Sequence, residues 1–222
     1  MPAAQAFVAH APRFITAKEK LNSPARKRFE LRHNIVRRDC AKHDGWSYTI
    51  TEVLMIKKNR RIILLNGPSS SGKSSLACSL KTLLEQKHLN YQVVSIDDFM
   101  KLRTDEKIYE DDVFEISSDM CDKTIEYLKT SDGVIIDHVI TSERIFEQLL
   151  DRTSDYEMIK VHVTCPLEEL LKRENKRGNR CIGSAEASYQ YLYPKDGYDI
   201  EVNTFKHSTE ECAIIVIDKL LL

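Results

Sequence analysis

Glycine and proline are scarce, 7 and 6 in a chain of 222 residues. Collagen-like and low-complexity chains draw roughly a quarter or more of their residues from these two, so both classes are excluded. No apolar run approaches the roughly 18 residues that a membrane helix needs. The N-terminus also lacks the continuous apolar core of a secretory signal, and a cytoplasmic protein without a transmembrane segment is expected. The cysteines Cys40, Cys78, Cys121, Cys165, Cys181 and Cys212 stand no closer than 16 residues apart. That excludes CxxC redox and zinc spacings. Free thiols in a reducing compartment follow, with Cys165 and Cys212 in settings that suit a small buried hydrophobe.

What is present is a soluble globular composition, 42% hydrophobic and 30% charged. The length suits one domain of ordinary size, able to bury a core without disulfides or structural metal. The net charge of -1 conceals a division: residues 1–60 hold 13 Lys+Arg against 5 Asp+Glu, whereas residues 61–222 hold 20 against 29. A basic N-terminal extension on an acidic body is expected, the boundary falling near residue 60. Within the extension Pro2, Pro12 and Pro24 interrupt the chain, residues 26–38 suit a basic helix, and Trp46, Tyr48 and Ile50 alternate as in a strand. Contact with nucleic acid or an anionic membrane through residues 1–60 is an open reading, and such binding would weaken steeply with salt.

From residue 61 onward short β-branched runs alternate with longer amphipathic ones, the pattern of βαβ units and a parallel sheet. Strands are expected at 61–66, 91–96, 134–136, 158–163 and 198–203. Helices are expected at 73–86, from about 112 to 132, from a Thr141 cap through Leu150, from Pro166, at 184–192, and from Thr209 to the end. The last is ambiguous, since 214–217 reads Ile-Ile-Val-Ile and alone suits a strand. The fold class is therefore α/β, a five-stranded parallel sheet flanked by helices.

The run Gly67-Pro68-Ser69-Ser70-Ser71-Gly72-Lys73-Ser74 matches the Walker A pattern, and it lies between an expected strand and an expected helix. In that context successive backbone N–H groups and the positive end of the helix dipole converge on one anion. Nucleotide contacts are expected from residues 67–74 and from Ser75. Lys73 is expected to reach the β- and γ-phosphates, and Ser74 to ligate magnesium. Such a loop binds ATP without stating where the γ-phosphate goes.

Phosphoryl transfer also needs a carboxylate at the acceptor hydroxyl, a metal environment and cations on the transferring group. Asp97 and Asp98 directly follow the second strand, where either is placed to accept a proton. Asp137 ends the third strand as a magnesium-side carboxylate. His138 beside it reads as structural. The segment 172–180 carries five cations, some explained as surface pairs with Glu168 and Glu169 four residues earlier, and Arg177 with Glu174 three earlier. Arg180 has no carboxylate within four residues on either side and suits a lid closing over phosphates, joined by Arg177 and Arg173.

Taken in order, Ile62 to Ser74, Ile96-Asp97, Ile135-Ile136-Asp137, Arg173 to Gly183 and Tyr198 to Thr204 resemble the chloramphenicol phosphotransferase family of P-loop kinases. The resemblance spans about residues 61–222. It implies a P-loop kinase fold, transfer of the ATP γ-phosphate to a small-molecule hydroxyl with magnesium, Asp97 in preference to Asp98 as base, and Arg177 and Arg180 as lid arginines. The chain departs from the family pattern at Asn179 and Asn203, where aspartates are usual, and at Ser188, often a glutamine. The loss of the two carboxylates, near the presumed substrate end, weighs against chloramphenicol itself more than against phosphotransfer. Two other readings stand beside this one: a zeta-toxin-like kinase of nucleotide sugars, and a nucleotide-switched binding module acting through the basic N-terminus.

Overall fold

The computed structural model describes residues 60–101, 110–177 and 182–220. The basic segment before Arg60, with its expected helix and strand, lies outside the described residues, as do Cys40, Asn179, Arg180 and Cys181.

Five strands carry the fold: β1 Arg61–Asn66, β2 Tyr91–Ser95, β3 Gly133–His138, β4 Glu157–Thr164 and β5 Ile200–Asn203. Seven helices stand among the described residues: α1 Lys73–Gln86, α2 Ile96–Met100, α3 Glu110–Leu128, α4 Glu143–Arg152, α5 Leu167–Arg177, α6 Ser184–Tyr191 and α7 Thr209–Leu220. The strands form one sheet in the order β2-β3-β1-β4-β5, every pairing parallel. β1 lies at the centre, and the chain builds outward to β2 and β3 on one side before crossing to β4 and β5 on the other. Open sheets of this kind bind ligands beyond the carboxyl ends of their strands, where the strand order reverses.

The alternation of strand residues divides the core in two. Ile63, Leu65, Ile135, Val161 and Val163 face α1 and α7, packing with Leu76, Leu80, Ala213 and Val216. Ile62, Leu64, Val134 and Ile136 face α3 and α4, packing with Met120, Leu128, Ile145 and Leu149. Burial on both faces explains why β1 and β3 read as unbroken apolar runs.

The expected elements are present, with local differences that have physical causes. Residues 214–217 are helical: Cys212, Ala213, Val216, Ile217 and Leu220 are buried at helical spacing, whereas Ile214 is 48% exposed. Ile96 leaves the strand and opens the short helix α2, so Asp97 and Asp98 occupy a first helical turn. The N-cap of α4 is Ser142 in place of Thr141, and it makes no side-chain cap bond. Its hydroxyl instead donates to Glu110 at 2.6 Å. Among the described cysteines Cys78 is exposed and Cys121, Cys165 and Cys212 are buried free thiols, with burial pushing Cys121 up to about 11. No helix among the described residues is long and apolar enough to cross a membrane.

Gly133 begins β3 under the ring of Tyr91. A Cβ at this position would lie 2.2 Å from Tyr91 Cε1 and 2.6 Å from the Arg61 carbonyl oxygen. Gly133→Ala is therefore expected to lower stability by about 1–3 kcal/mol through overpacking. Urea denaturation should show a lower midpoint at constant slope, and an unchanged midpoint would contradict the packing argument.

Candidate active site

The loop from Gly67 to Gly72 joins β1 to α1 and is shaped by close approach. A Cβ on Gly67 would lie 2.3 Å from the Val163 carbonyl oxygen, so the loop can pass beneath β4 only at a glycine. Gly72 has φ +93° and Ser70 φ +65°, the left-handed region that favours glycine. Ser69, Ser70, Ser71 and Lys73 are all buried. The Ser70 and Ser71 hydroxyl oxygens are buried without a hydrogen-bond partner, an arrangement that suits an oxygen-rich ligand at this loop. Lys73 donates from Nζ to the Pro68 carbonyl at 2.8 Å, and Ser75 is exposed in the first turn of α1.

Residues from four elements line one small hollow with this loop: Ser70, Gly72, Lys73 and Ser74, then Ile96 and Asp97 from α2, Asp137 and Val139 at the end of β3, and Arg177 from the last turn of α5. The hollow measures about 20 Å³. Of the two aspartates after β2, Asp97 lines it, whereas Asp98 faces outward and pairs with Lys101 at 3.0 Å, its side chain 70% exposed. Ser74 Oγ donates to Asp137 Oδ2 at 2.6 Å. A hydroxyl and a carboxylate so placed are hard oxygen donors that would fit a magnesium ion. No cluster of three or more His, Cys, Asp or Glu side chains suited to a metal occurs among the described residues. His138 is buried behind Asp137. Loss of hydration brings its pKa down to about 4; the Val139 backbone opposes that shift, Lys73 adds to it and Asp97 opposes it.

The lid residues divide. Arg177 reaches the hollow, while Arg180 lies outside the described residues. Arg173 donates from Nε to Glu169 at 3.0 Å and from its two Nη atoms to Thr204 at 3.1 Å each. The expected pairing of Arg177 with Glu174 is replaced by another contact. The Glu174 carboxylate is buried and accepts from the backbone N–H of Gly183 at 3.0 Å and of Ala185 at 2.8 Å. It caps α6 from outside, because unpaired amides at a helix N-terminus bind a carboxylate more firmly than a surface cation does.

Two departures from the family pattern also take new places. Ser188 is buried in α6 and its hydroxyl accepts from the Ser69 N–H at 2.8 Å. Asn203 accepts from the N–H groups of Phe205 and Lys206 at 3.0 and 3.1 Å, forming the turn after β5. Neither lines the hollow beside Asp97; Asn203 borders a separate cavity of about 500 Å³ that opens past Pro68 between β4, β5 and α6.

Thr204, Ser188 and Glu174 are the residues at this end that local spacing does not assign. Sequence signals for them are faint: a threonine after an expected strand, a serine just past the middle of a short helix, and a glutamate within a charged run.

A loop of this shape, on this strand order, with carboxylates from two neighbouring strand ends, defines the class: a P-loop kinase. Residues 60–221 match the family model described as chloramphenicol phosphotransferase-like protein, and the chain belongs to that family. Solved structures with the same fold include an APS kinase of Mycobacterium tuberculosis in complex with AMPPNP and APS, 19% identical with a TM-score of 0.63 over 74% of this chain and 99% of that one. A gluconokinase from Sinorhizobium meliloti is 16% identical with a TM-score of 0.55, over 74% of this chain and 93% of that one. Comparison with curated protein sequences gives no match.

Glu174→Ala removes the acceptor for the buried Ala185 amide and the half-buried Gly183 amide. It is expected to lower stability by about 1–3 kcal/mol and to speed amide exchange in α6. Unchanged protection at Ala185 would show that the cap is dispensable.

Proposed function

We propose that the protein moves the γ-phosphoryl group of ATP to a hydroxyl of a small molecule. The observation that carries this reading is the convergence of Asp97, Asp137, Ser74, Lys73 and Arg177 on a single hollow at the mouth of the P-loop. Backbone N–H groups of residues 72–74 at the N-terminus of α1 receive the phosphates, and Lys73 exchanges its bond to Pro68 for phosphate oxygens. Ser74 and Asp137 hold magnesium, which when bound neutralises charge on the β- and γ-phosphate oxygens. Asp97 accepts the proton of the acceptor hydroxyl as its oxygen bonds to the γ-phosphorus. The bond from that phosphorus to the bridging oxygen breaks, and ADP leaves. Arg177, with Arg180 from the adjoining segment, offsets the charge that develops on the transferring group.

The departures from the family pattern at Asn179 and Asn203 make chloramphenicol one candidate acceptor among several. The full chain with magnesium and labelled ATP should therefore be offered alcohols of several classes, including chloramphenicol and sugar nucleotides. A phosphorylated sugar nucleotide would favour the toxin-like reading. With the accepted substrate, Asp97→Asn is expected to lower turnover by about 10²–10⁴-fold while leaving ATP binding intact. Lys73→Ala is expected to lose both. Near-native turnover by Asp97→Asn would show that Asp97 is not the base.

A further inference from the structure

The P-loop is held on its flank by a chain of hydrogen bonds centred on Thr204, the residue that follows β5. The Thr204 hydroxyl donates to the Ser71 carbonyl at 2.6 Å and accepts from Arg173 Nη1 at 3.1 Å. The Thr204 carbonyl accepts from Arg173 Nη2 at 3.1 Å, and its backbone N–H donates to the Thr164 carbonyl, also at 3.1 Å. Arg173 is itself anchored to Glu169 at 3.0 Å. One side chain thus links the end of β5, the helix α5 and the phosphate loop.

The Ser71 carbonyl belongs to the same planar peptide as the Gly72 N–H. In a trans peptide the two point in opposite directions. Fixing the carbonyl on Thr204 therefore turns the Gly72 N–H away from Thr204, and Gly72 lines the hollow. This peptide needs such a restraint, since Gly72 follows it at φ +93° and glycine has many other conformations open to it. A Cβ on Gly72 would lie 3.6 Å from Thr204 Cγ2 and 3.8 Å from Arg173 Nη1, so both side chains stand directly behind the turn.

We propose that Thr204 is a positioning residue for phosphoryl transfer: it orients the Ser71–Gly72 peptide toward the nucleotide phosphates, and Arg173 acts through Thr204 without touching the nucleotide. The assignment deepens the phosphotransferase reading and takes from it only that a nucleotide is the ligand. Three of the five N–H donors of Arg173 are already engaged by Glu169 and Thr204, which makes it a brace in place of the expected nucleotide contact.

Titration of the full chain with a methylanthraniloyl-labelled ATP in magnesium buffer tests this without any acceptor. Thr204→Val, nearly isosteric but lacking the hydroxyl, is expected to weaken binding about tenfold, or about 1.4 kcal/mol. Thr204→Ser keeps the hydroxyl and is expected to restore affinity to within about threefold, which a merely space-filling role would not produce. Arg173→Lys is expected to weaken binding about fivefold in the native background and not at all beside Thr204→Val, because the two act as one unit. In turnover with an accepted substrate, the KM for ATP should rise while the KM for the acceptor holds.

Wild-type affinity in Thr204→Val would overturn the proposal, and so would equal losses from Arg173→Lys in both backgrounds. If Thr204→Val does not fold, Glu169→Gln serves instead. It loosens Arg173 from a distance and is expected to weaken labelled-ATP binding about two- to threefold, unchanged affinity overturning the proposal. Failure of the unaltered chain to bind labelled ATP would instead refute the nucleotide reading itself.

Discussion

Binding an anion with backbone amides requires several successive peptides to hold orientations that a free chain does not keep. The rest of this structure is arranged around that constraint. The loop contains a serine and a glycine at positive φ, and strain of this kind persists only where the surroundings over-determine it. Here the surroundings are specific. The Val163 carbonyl presses on Gly67, Ser188 takes the Ser69 amide, Thr204 takes the Ser71 carbonyl, and Lys73 reaches back to Pro68. The strand order β2-β3-β1-β4-β5 makes these contacts possible by setting β4 beside β1 and β5 beside β4. It also divides the labour: β4, β5 and α6 supply restraint, while Asp97, in the helix that follows β2, and Asp137, near the end of β3, are the carboxylates of the hollow.

Much of this was legible in the sequence because it is local. The Walker A run, the alternation of strands and helices, and the carboxylates at strand ends all follow from short-range pattern. The terminal segment was less plain, expected as a helix although Ile214 to Ile217 alone suit a strand. The braces were not legible, and distance is the reason. Ser188 meets a residue 119 positions away and Thr204 one 133 positions away, and no spacing rule within a helix or strand reports such partners. Glu174 shows a different limit. Helical spacing offered it Arg177, but spacing ranks only neighbours on the same helix. It is blind to the two amides that the chain brings back after residue 182.

The positions at which this chain departs from the family pattern acquire a different meaning in three dimensions. On a linear reading Asn203 stands near the presumed substrate end, and Ser188 has no assigned place. In the fold they stand at the flank of the P-loop, Ser188 on the Ser69 amide and Asn203 capping the turn that presents Thr204. Asn can accept the same two backbone N–H bonds as Asp, since both place an oxygen at the same point. A serine hydroxyl, shorter than a glutamine amide, sits close enough in α6 to accept from Ser69 while donating to the carbonyls of Ser184 and Ala185. Ser188 and Asn203 therefore bear on how the loop is held.

Charge completes the argument. Residues 61–222 carry nine more acidic than basic side chains, so the mean field of the body repels a polyphosphate. Attraction has to come from a few groups in a weakly screened setting, where each counts for more than it would in water. Lys73 is only 5% exposed and Arg177 enters from α5 beside it. His138 adds no charge at neutral pH, because burial holds its pKa at about 4. A protonated imidazole so near Lys73 would compete with it for hydration and for the same carboxylates. With His138 neutral, the charge of the hollow among the described residues is set by two cations facing Asp97 and Asp137. With cations and carboxylates so balanced, the placed amides of the P-loop take a decisive share in holding an anion.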